Sequence, residues 1–376
     1  MRKTFQYRLY PTKAQKRKLA QALEECRWLY NHTLAFRKEA WEEYSVSVSL
    51  FDTQKRLPIW KQEHPQLLSI HSQVLQNVCV RVDLAFKAFF RRVKAGENPG
   101  YPRFKGYGQY NSFTYPQSGF NLKDDKLRLA KIGMIKIKLH RSIIGKIKTL
   151  TIRHTASNEW YISFSCECEP EPLPANADAI GLDVGLTSFA TLSTGKKIDN
   201  PRFFRTDEHD LARAQHKFSK VMNDTFDYSK CKHIIAQIHK RIANRRKDFA
   251  HQWSRRLVNQ FGVICVEDLA VNHMVHNHCL AKSIGDTAWS QFFIYLSYKA
   301  EWAGRKVIPV NPAYTSQTCS SCGHRQKLTL DIREYRCPCC EIILCRDYNA
   351  ALNILALGLQ RIGNQSIEVP IFNSGE

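Results

Sequence analysis

Apolar residues recur at spacings of three and four in two stretches of the N-terminal third. Leu19, Leu23, Cys26, Tyr30 and Leu34 follow Pro11 and the pair Thr12 and Gln15. A hydroxyl and an amide three residues apart, just ahead of such a run, predict a capping box that opens a helix. A second helix is predicted after Ser72, where Leu75, Val78, Val82, Phe86, Phe89 and Val93 make one stripe and Arg81, Arg91, Arg92 and Lys94 stay outside it. The aromatics of that stripe read as core rather than as base-stacking groups. Gly, Pro and aromatic residues between Gly96 and Gly108 end the helical region in a loop. The period then becomes two: Met134 to His140, Lys146 to Arg153 and Trp160 to Glu167 alternate, with Trp160, Ile162, Phe164 and Cys166 on one face. These strands predict a small β-barrel or sheet. Pro170, Pro172 and Pro174 exclude regular structure, so a linker is expected there, with a new domain from Asp178.

Two later strands are apolar except for acids. Ala179 to Leu186 carries Asp183 and is followed by an alternating strand from Ser188 to Thr194, which predicts a hairpin. Gly262 to Leu269 closes on Glu267 and Asp268, which point to opposite faces. A third acid, Asp347, opens a helical stretch, Arg346 to Leu355, with Asn349 and Asn353 one turn apart. A carboxylate in an apolar strand costs several kcal/mol unless it is paired or binds metal. Singly, each has a plain structural reading: Asp347 as a helix N-cap, Asp183 as a turn residue, Glu267 or Asp268 in a salt bridge. Together, an acid on a first strand, one ending a later strand and one heading a C-terminal helix suit a two-metal site in an RNase H-like fold.

At 376 residues and 43.6 kDa the chain has room for two or three domains. Its formal charge of +22 calls for a polyanionic partner, nucleic acid first. Residues 1–150 hold 29 basic and 11 acidic side chains, +18, and so carry most of that field. Lys136, Lys138, Lys146 and Lys148 sit on alternating strand positions, a candidate cationic face. Residues 213–256 add 12 basic residues, including Arg241, Arg245, Arg246 and Lys247, against Asp224, Asp227 and Asp248. The opening ten residues have no apolar core of a secretory signal, and no run of ~20 apolar residues suggests a membrane span. A cytosolic protein with no membrane partner is expected.

Thirteen cysteines cluster toward the C-terminus. Cys319 and Cys322, then Cys337 and Cys340 after fourteen intervening residues, form two knuckles of a four-cysteine zinc ribbon. Cys339 competes for a place, but the two-residue gap selects Cys337 and Cys340, and Cys345 is left over. Four thiolates leave no coordination position open, so one structural Zn²⁺ per chain is expected. The run Asn272 to Cys279, with three histidines, reads as a polar loop rather than a second metal site.

Gly-Leu-Asp183-Val-Gly, Val-Glu267-Asp-Leu, Tyr314-Thr-Ser-Gln-Thr-Cys-Ser-Ser-Cys-Gly323 and Arg346-Asp347-Tyr-Asn-Ala-Ala-Leu-Asn-Ile resemble the TnpB (OrfB) family of transposon-encoded proteins. Tyr7 to Gln15, Gly100 to Lys105, Ala288 to Phe292 and Tyr298 to Arg305 extend the match to nearly the whole chain. The resemblance implies an RNA-guided DNA endonuclease, related to CRISPR type V effectors. It implies a multidomain α/β fold plus β-barrel: an N-terminal barrel (wedge) domain, first strand 1–10 and remainder 109–170, interrupted by a helical recognition domain at 11–108. A linker at 171–177 would lead to an RNase H-like (RuvC) nuclease domain at 178–315, with the zinc ribbon inserted at 316–345 and the last part plus tail at 346–376.

By position, Asp183, Glu267 and Asp347 would be the catalytic acids holding two Mg²⁺ ions, and Cys319, Cys322, Cys337 and Cys340 the zinc ligands. Arg103, Lys105, Lys136, Lys138, Arg241, Arg245 and Arg246 are candidate nucleic-acid contacts. The partners implied are a guide RNA from the transposon end and double-stranded DNA with a short flanking motif. Cys345, where the family usually has Asp, and Glu341, where it has Gly, depart from the pattern beside the chemistry. A strand-transferring transposase and a non-cleaving RNA-guided DNA-binding regulator are the competing functions.

Overall fold

The computed structural model describes residues 1–223, 225–329 and 332–364. The expected C-terminal tail beyond residue 364, and Asp224 in the basic segment, lie outside the described residues. The chain divides into two units, Met1–Glu169 and Pro170–Glu376.

The first unit opens with β1 (Arg2–Tyr10) and continues through α1 (Lys13–Tyr44), α2 (Leu50–Lys55), α3 (Leu57–Glu63), a 3-10 turn at Pro65–Ser69 and α4 (Ser72–Lys94). Six strands follow: β2 (Ser112–Tyr115), β3 (Phe120–Lys123), β4 (Lys126–Leu129), β5 (Gly133–Lys138), β6 (Lys146–His154) and β7 (Trp160–Glu167). The capping box forms as its spacing predicts, with Gln15 N donating to Thr12 Oγ1 at 3.3 Å and Thr12 N to Gln15 Oε1 at 2.9 Å. Leu19, Leu23, Cys26, Tyr30 and Leu34 are all buried. On α4 burial runs through Phe86, while Val93 is 48% exposed. Arg81 is not free for ligand: its guanidinium donates to Ser112 O at 2.6 Å and Thr114 Oγ1 at 3.0 Å, tying α4 to β2.

The seven strands form one antiparallel sheet in the order β2-β6-β7-β1-β5-β4-β3. Its two ends approach each other: Tyr115 Oη, from β2, donates to Ala130 O at 3.0 Å, just past β4. The sheet is therefore barrel-like and nearly closed. Strand alternation fills its interior with Phe5, Tyr7, Leu9, Ile135, Ile137, Ile162 and Phe164.

The second unit contains β8 (Ala179–Val184), β9 (Ser188–Leu192), β10 (Lys197–Asp199), α5 (Phe203–Ser219), α6 (Phe226–Gln260), β11 (Val263–Glu267), α7 (Val271–Met274), α8 (His278–Thr287), α9 (Trp289–Trp302), β12 (Lys306–Val310), β13 (Glu334–Arg336), β14 (Ile343–Cys345) and α10 (Arg346–Asn364). A five-stranded sheet runs β10-β9-β8-β11-β12; β8, β11 and β12 are parallel, and the β8–β9 hairpin is antiparallel. Phe189, Phe292, Leu296 and Trp289 pack with Ile180 and Leu182 in one core cluster, and α10 packs Ile354 on Cys265 and Val310 in another. The proline segment expected as a linker is bound to this unit: Leu173 N donates to Ala303 O at 3.0 Å and Asn176 Nδ2 to Gln260 O at 2.9 Å. Among the described residues no helix is long and apolar enough to cross a membrane.

A candidate carboxylate site beside a four-cysteine cluster

Register places two of the three acids. β11 and β8 pair in parallel with Val266 opposite Leu182, so Glu267 and Asp183 come next to each other at the carboxyl ends of adjacent strands. In open parallel sheets this is where ligands bind. Helix α10 delivers the third, because Asp347 sits in its first turn and the helix lies across β8 and β11. Two glycines allow that approach. A Cβ on Gly181 would meet Ala351 O at 2.1 Å, and one on Gly358 would meet Cys265 Sγ at 2.1 Å.

Burial pushes the Asp183 carboxyl up to about 8, and the negative charges of Glu267 and then Asp347 add to the shift, against a smaller opposing effect of Arg346. Burial also raises Glu267, opposed by a hydrogen bond in which Thr315 Oγ1 donates to Glu267 Oε1 at 2.6 Å. Arg346 Nη2 lies 3.5 Å from Asp347 Oδ1. A buried carboxyl whose proton affinity is raised further by two neighbouring carboxylates marks a site that favours positive charge. Their oxygens do not close around a single point: the four cysteines are the one such tight group among the described residues.

Thr315, 4% exposed, was legible in the sequence only as part of a motif. Asn349 and Asn353 had a signal, their one-turn spacing, but no partner. In the structure Asn353 Nδ2 donates to Thr315 O at 2.8 Å and Thr318 O at 2.7 Å; Asn349 Nδ2 donates to Thr318 O at 2.7 Å, and its Oδ1 accepts from Ser320 N at 2.9 Å.

The sulfurs of Cys319, Cys322, Cys337 and Cys340 lie within 4.8 Å of one another, with Cys319–Cys340 at 3.6 Å and Cys322–Cys337 at 3.5 Å. Zn–S bonds of ~2.3 Å in a tetrahedron separate sulfurs by ~3.8 Å, so the set fits zinc. Cys339 is exposed and outside it. The backbone N–H groups of Cys340 and Cys339 hold the Cys337 thiol down at about 6, in the thiolate form that binds metal. Buried Tyr335 closes the small core beneath, its hydroxyl donating to His324 O at 3.1 Å.

The basic candidates divide. Lys136 and Lys138 are exposed on β5, opposite buried Ile135 and Ile137, and Arg103 is exposed in its loop. Lys105 is half-buried, its backbone accepting from Arg27 Nη1 and Asn31 Nδ2, both at 2.9 Å. The three arginines of α6 have protein partners. Arg241 pairs with Asp207 at 2.7 Å, Arg245 with Asp207 at 3.3 Å, and Arg246 with buried Asp286 at 2.7 Å. These pairs fasten α5 and α8 to α6, a structural role that the charge count alone did not reveal.

A "Putative RNA-guided DNA endonuclease" of Streptomyces pristinaespiralis is 35% identical over 367 residues, covering 96% of this chain and 90% of the relative. A "Putative RNA-guided DNA endonuclease InsQ" of Escherichia coli K12 is 32% identical, covering 94% and 92%. The chain belongs to the TnpB (OrfB) family. Family models agree: one described as "Probable transposase" matches residues 163–278, which include Asp183 and Glu267, and the "Cas12f1-like, TNB domain" matches 289–354, which include the four cysteines and Asp347. A "Helix-turn-helix domain" model matches residues 1–45, where this family member has a strand and one continuous 32-residue helix. In fold, the chain resembles the "mini-RNA-guided endonuclease CRISPR-Cas_phi3", with a TM-score of 0.51 at 11% identity over 96% of this chain and 92% of that one.

Proposed function

We propose that this TnpB-family protein is a transposon-encoded, RNA-guided DNA endonuclease. The observation that carries the reading is the arrival of Asp183 and Glu267 at neighbouring strand ends with Asp347 close enough to perturb Asp183. The relatives' names supply the substrate class. The second unit would be an RNase H-like (RuvC) nuclease domain with its ribbon inserted. The nearly closed sheet of the first unit would be the wedge barrel, interrupted by the helical recognition domain. Asp183, Glu267 and Asp347 would hold Mg²⁺, which when bound supplies an activated water and neutralises the leaving oxyanion in phosphodiester hydrolysis.

The chain's own groups set the conditions for this. Asp183 must give up its proton before it can ligate, and Glu267 is kept in place by the Thr315 hydroxyl. The +18 field of residues 1–150, with Lys136, Lys138 and Arg103 exposed, suits backbone contact to a guide RNA and its heteroduplex, while base pairing reads the target. Such an enzyme would work in the cytoplasm, at the nucleoid.

The test is cleavage of a plasmid bearing the guide-matched sequence, using protein purified with its RNA. Mg²⁺- and RNA-dependent breaks that vanish in Asp183→Ala support the reading; equal cleavage by that variant overturns it. Joined strands formed without RNA would instead identify a strand-transferring transposase.

A further inference from the structure

The geometry points to Thr315 as the residue that positions Glu267 for divalent-metal binding, with Asn353 of α10 in turn positioning Thr315. This rests on the reading of Asp183, Glu267 and Asp347 as metal-holding acids and adds the residues that make one of them effective.

Glu267 is the last residue of β11, where pairing with Val310 of β12 holds its backbone but leaves its side-chain rotamer to other contacts. Thr315 Oγ1 reaches its Oε1 at 2.6 Å and Pro312 O at 3.1 Å. A hydroxyl has one proton, and the nearer, chargeable acceptor takes it. Because Thr315 is almost fully buried, water does not compete for that bond. One oxygen of Glu267 is thereby anchored and the carboxylate plane is set.

The anchor is itself held. Asn353 binds the Thr315 carbonyl at 2.8 Å, and Asn353 lies on the helix whose first turn bears Asp347. One rigid body, α10, therefore carries Asp347 directly and fixes Glu267 through two hydrogen bonds. The same helix grips Thr318 and Ser320, the residues on either side of the zinc ligand Cys319. The ribbon's entry and the acid site share one clamp.

The test is Mn²⁺ binding, followed by the electron paramagnetic resonance of free Mn²⁺, to the full-length zinc-loaded protein. Thr315→Val keeps the shape and removes the hydroxyl. It should weaken Mn²⁺ affinity by about 10- to 100-fold, as loss of an outer hydrogen bond to a metal ligand does, with one zinc per chain retained. Thr315→Ser should restore affinity to within about threefold, because the donor returns. Asn353→Ala, which leaves the Thr315 side chain intact, should also weaken binding. Wild-type affinity in Thr315→Val, or no rescue by Ser, overturns the inference; wild-type affinity in Asn353→Ala overturns its second link. Should Thr315→Val fail to fold, the Ser and Asn353→Ala results decide. Asp183→Ala is the separate control: if it binds Mn²⁺ as wild type does, the acid-site reading falls instead.

Discussion

The backbone of Gly181 lies so near Ala351 that a Cβ on the glycine would stand 2.1 Å from the Ala351 carbonyl oxygen and 2.8 Å from Leu355 N. β8 and α10 therefore touch backbone to backbone, two residues along the strand from Asp183 and one helical turn from Asp347. Both obstructing atoms belong to helix backbone and cannot swing aside. Gly181→Ala should push α10 off the sheet, costing about 1–3 kcal/mol as overpacking does. The melting temperature should fall by roughly 2–4 °C for each kcal/mol, and cleavage should fall further than stability. An unchanged melting curve would contradict the packing.

Asp183 gives a pH dependence of defined sign. Its folded value, about 8, lies above the ordinary carboxylate value of 3.8, so between those pH values the folded state holds a proton that the unfolded state has lost. The contribution of Asp183 to stability, in protein without added divalent cation, should be fullest below pH ~4, decline as pH rises and level off above pH ~8. Asp183→Asn has no such proton to lose. It should melt higher than wild type at pH 8, with the gap closing toward pH 5; a pH-independent gap would refute the shift. Because ligation requires the carboxylate, divalent-cation binding should release protons and tighten with pH.

Elemental analysis should find about one zinc per chain. Cys319→Ser should lose it and make residues 316–345 protease-sensitive, since Cys319 is buried in the ribbon's small core. Cys339→Ser, outside the four-sulfur group, should keep its zinc. Zinc loss in both variants would mean that the ligand set is wrong.

The basic side chains should separate into two kinds by experiment. Lys136→Ala and Lys138→Ala should weaken RNA binding alike across sequences and lower the slope of log affinity against log salt by about 0.7–0.9 each. Arg246→Ala should chiefly destabilise the fold, by about 3 kcal/mol, because Asp286 is left buried without its guanidinium. Phe204 N still donates to Asp286, which keeps the loss toward the low end of the range for broken buried pairs. Melting curves and salt-dependent binding, measured on the same variants, distinguish the two.

Features confined to one helical turn, one pleat or one short spacing were legible in the sequence alone. The capping box of Thr12 and Gln15, the buried face of Trp160 to Cys166 and the two cysteine knuckles are of this kind, since the groups involved are brought together by local backbone geometry or by a metal's fixed valence. The short strands β2, β3 and β4 are not legible in the sequence, because four residues carry too little alternation to stand out from a loop.

Only tertiary structure decided what the charges do. Arg241 finds Asp207 across 34 residues, Arg246 finds Asp286 across 40, and Thr315 finds Glu267 across 48. No periodicity encodes such pairs, because they depend on the register of β11 against β8 and on where α10 comes to rest. The sequence specifies which chemical groups are available, and the burial and distance that turn a carboxylate into a proton-retaining group arise when the strands and helix close on one another.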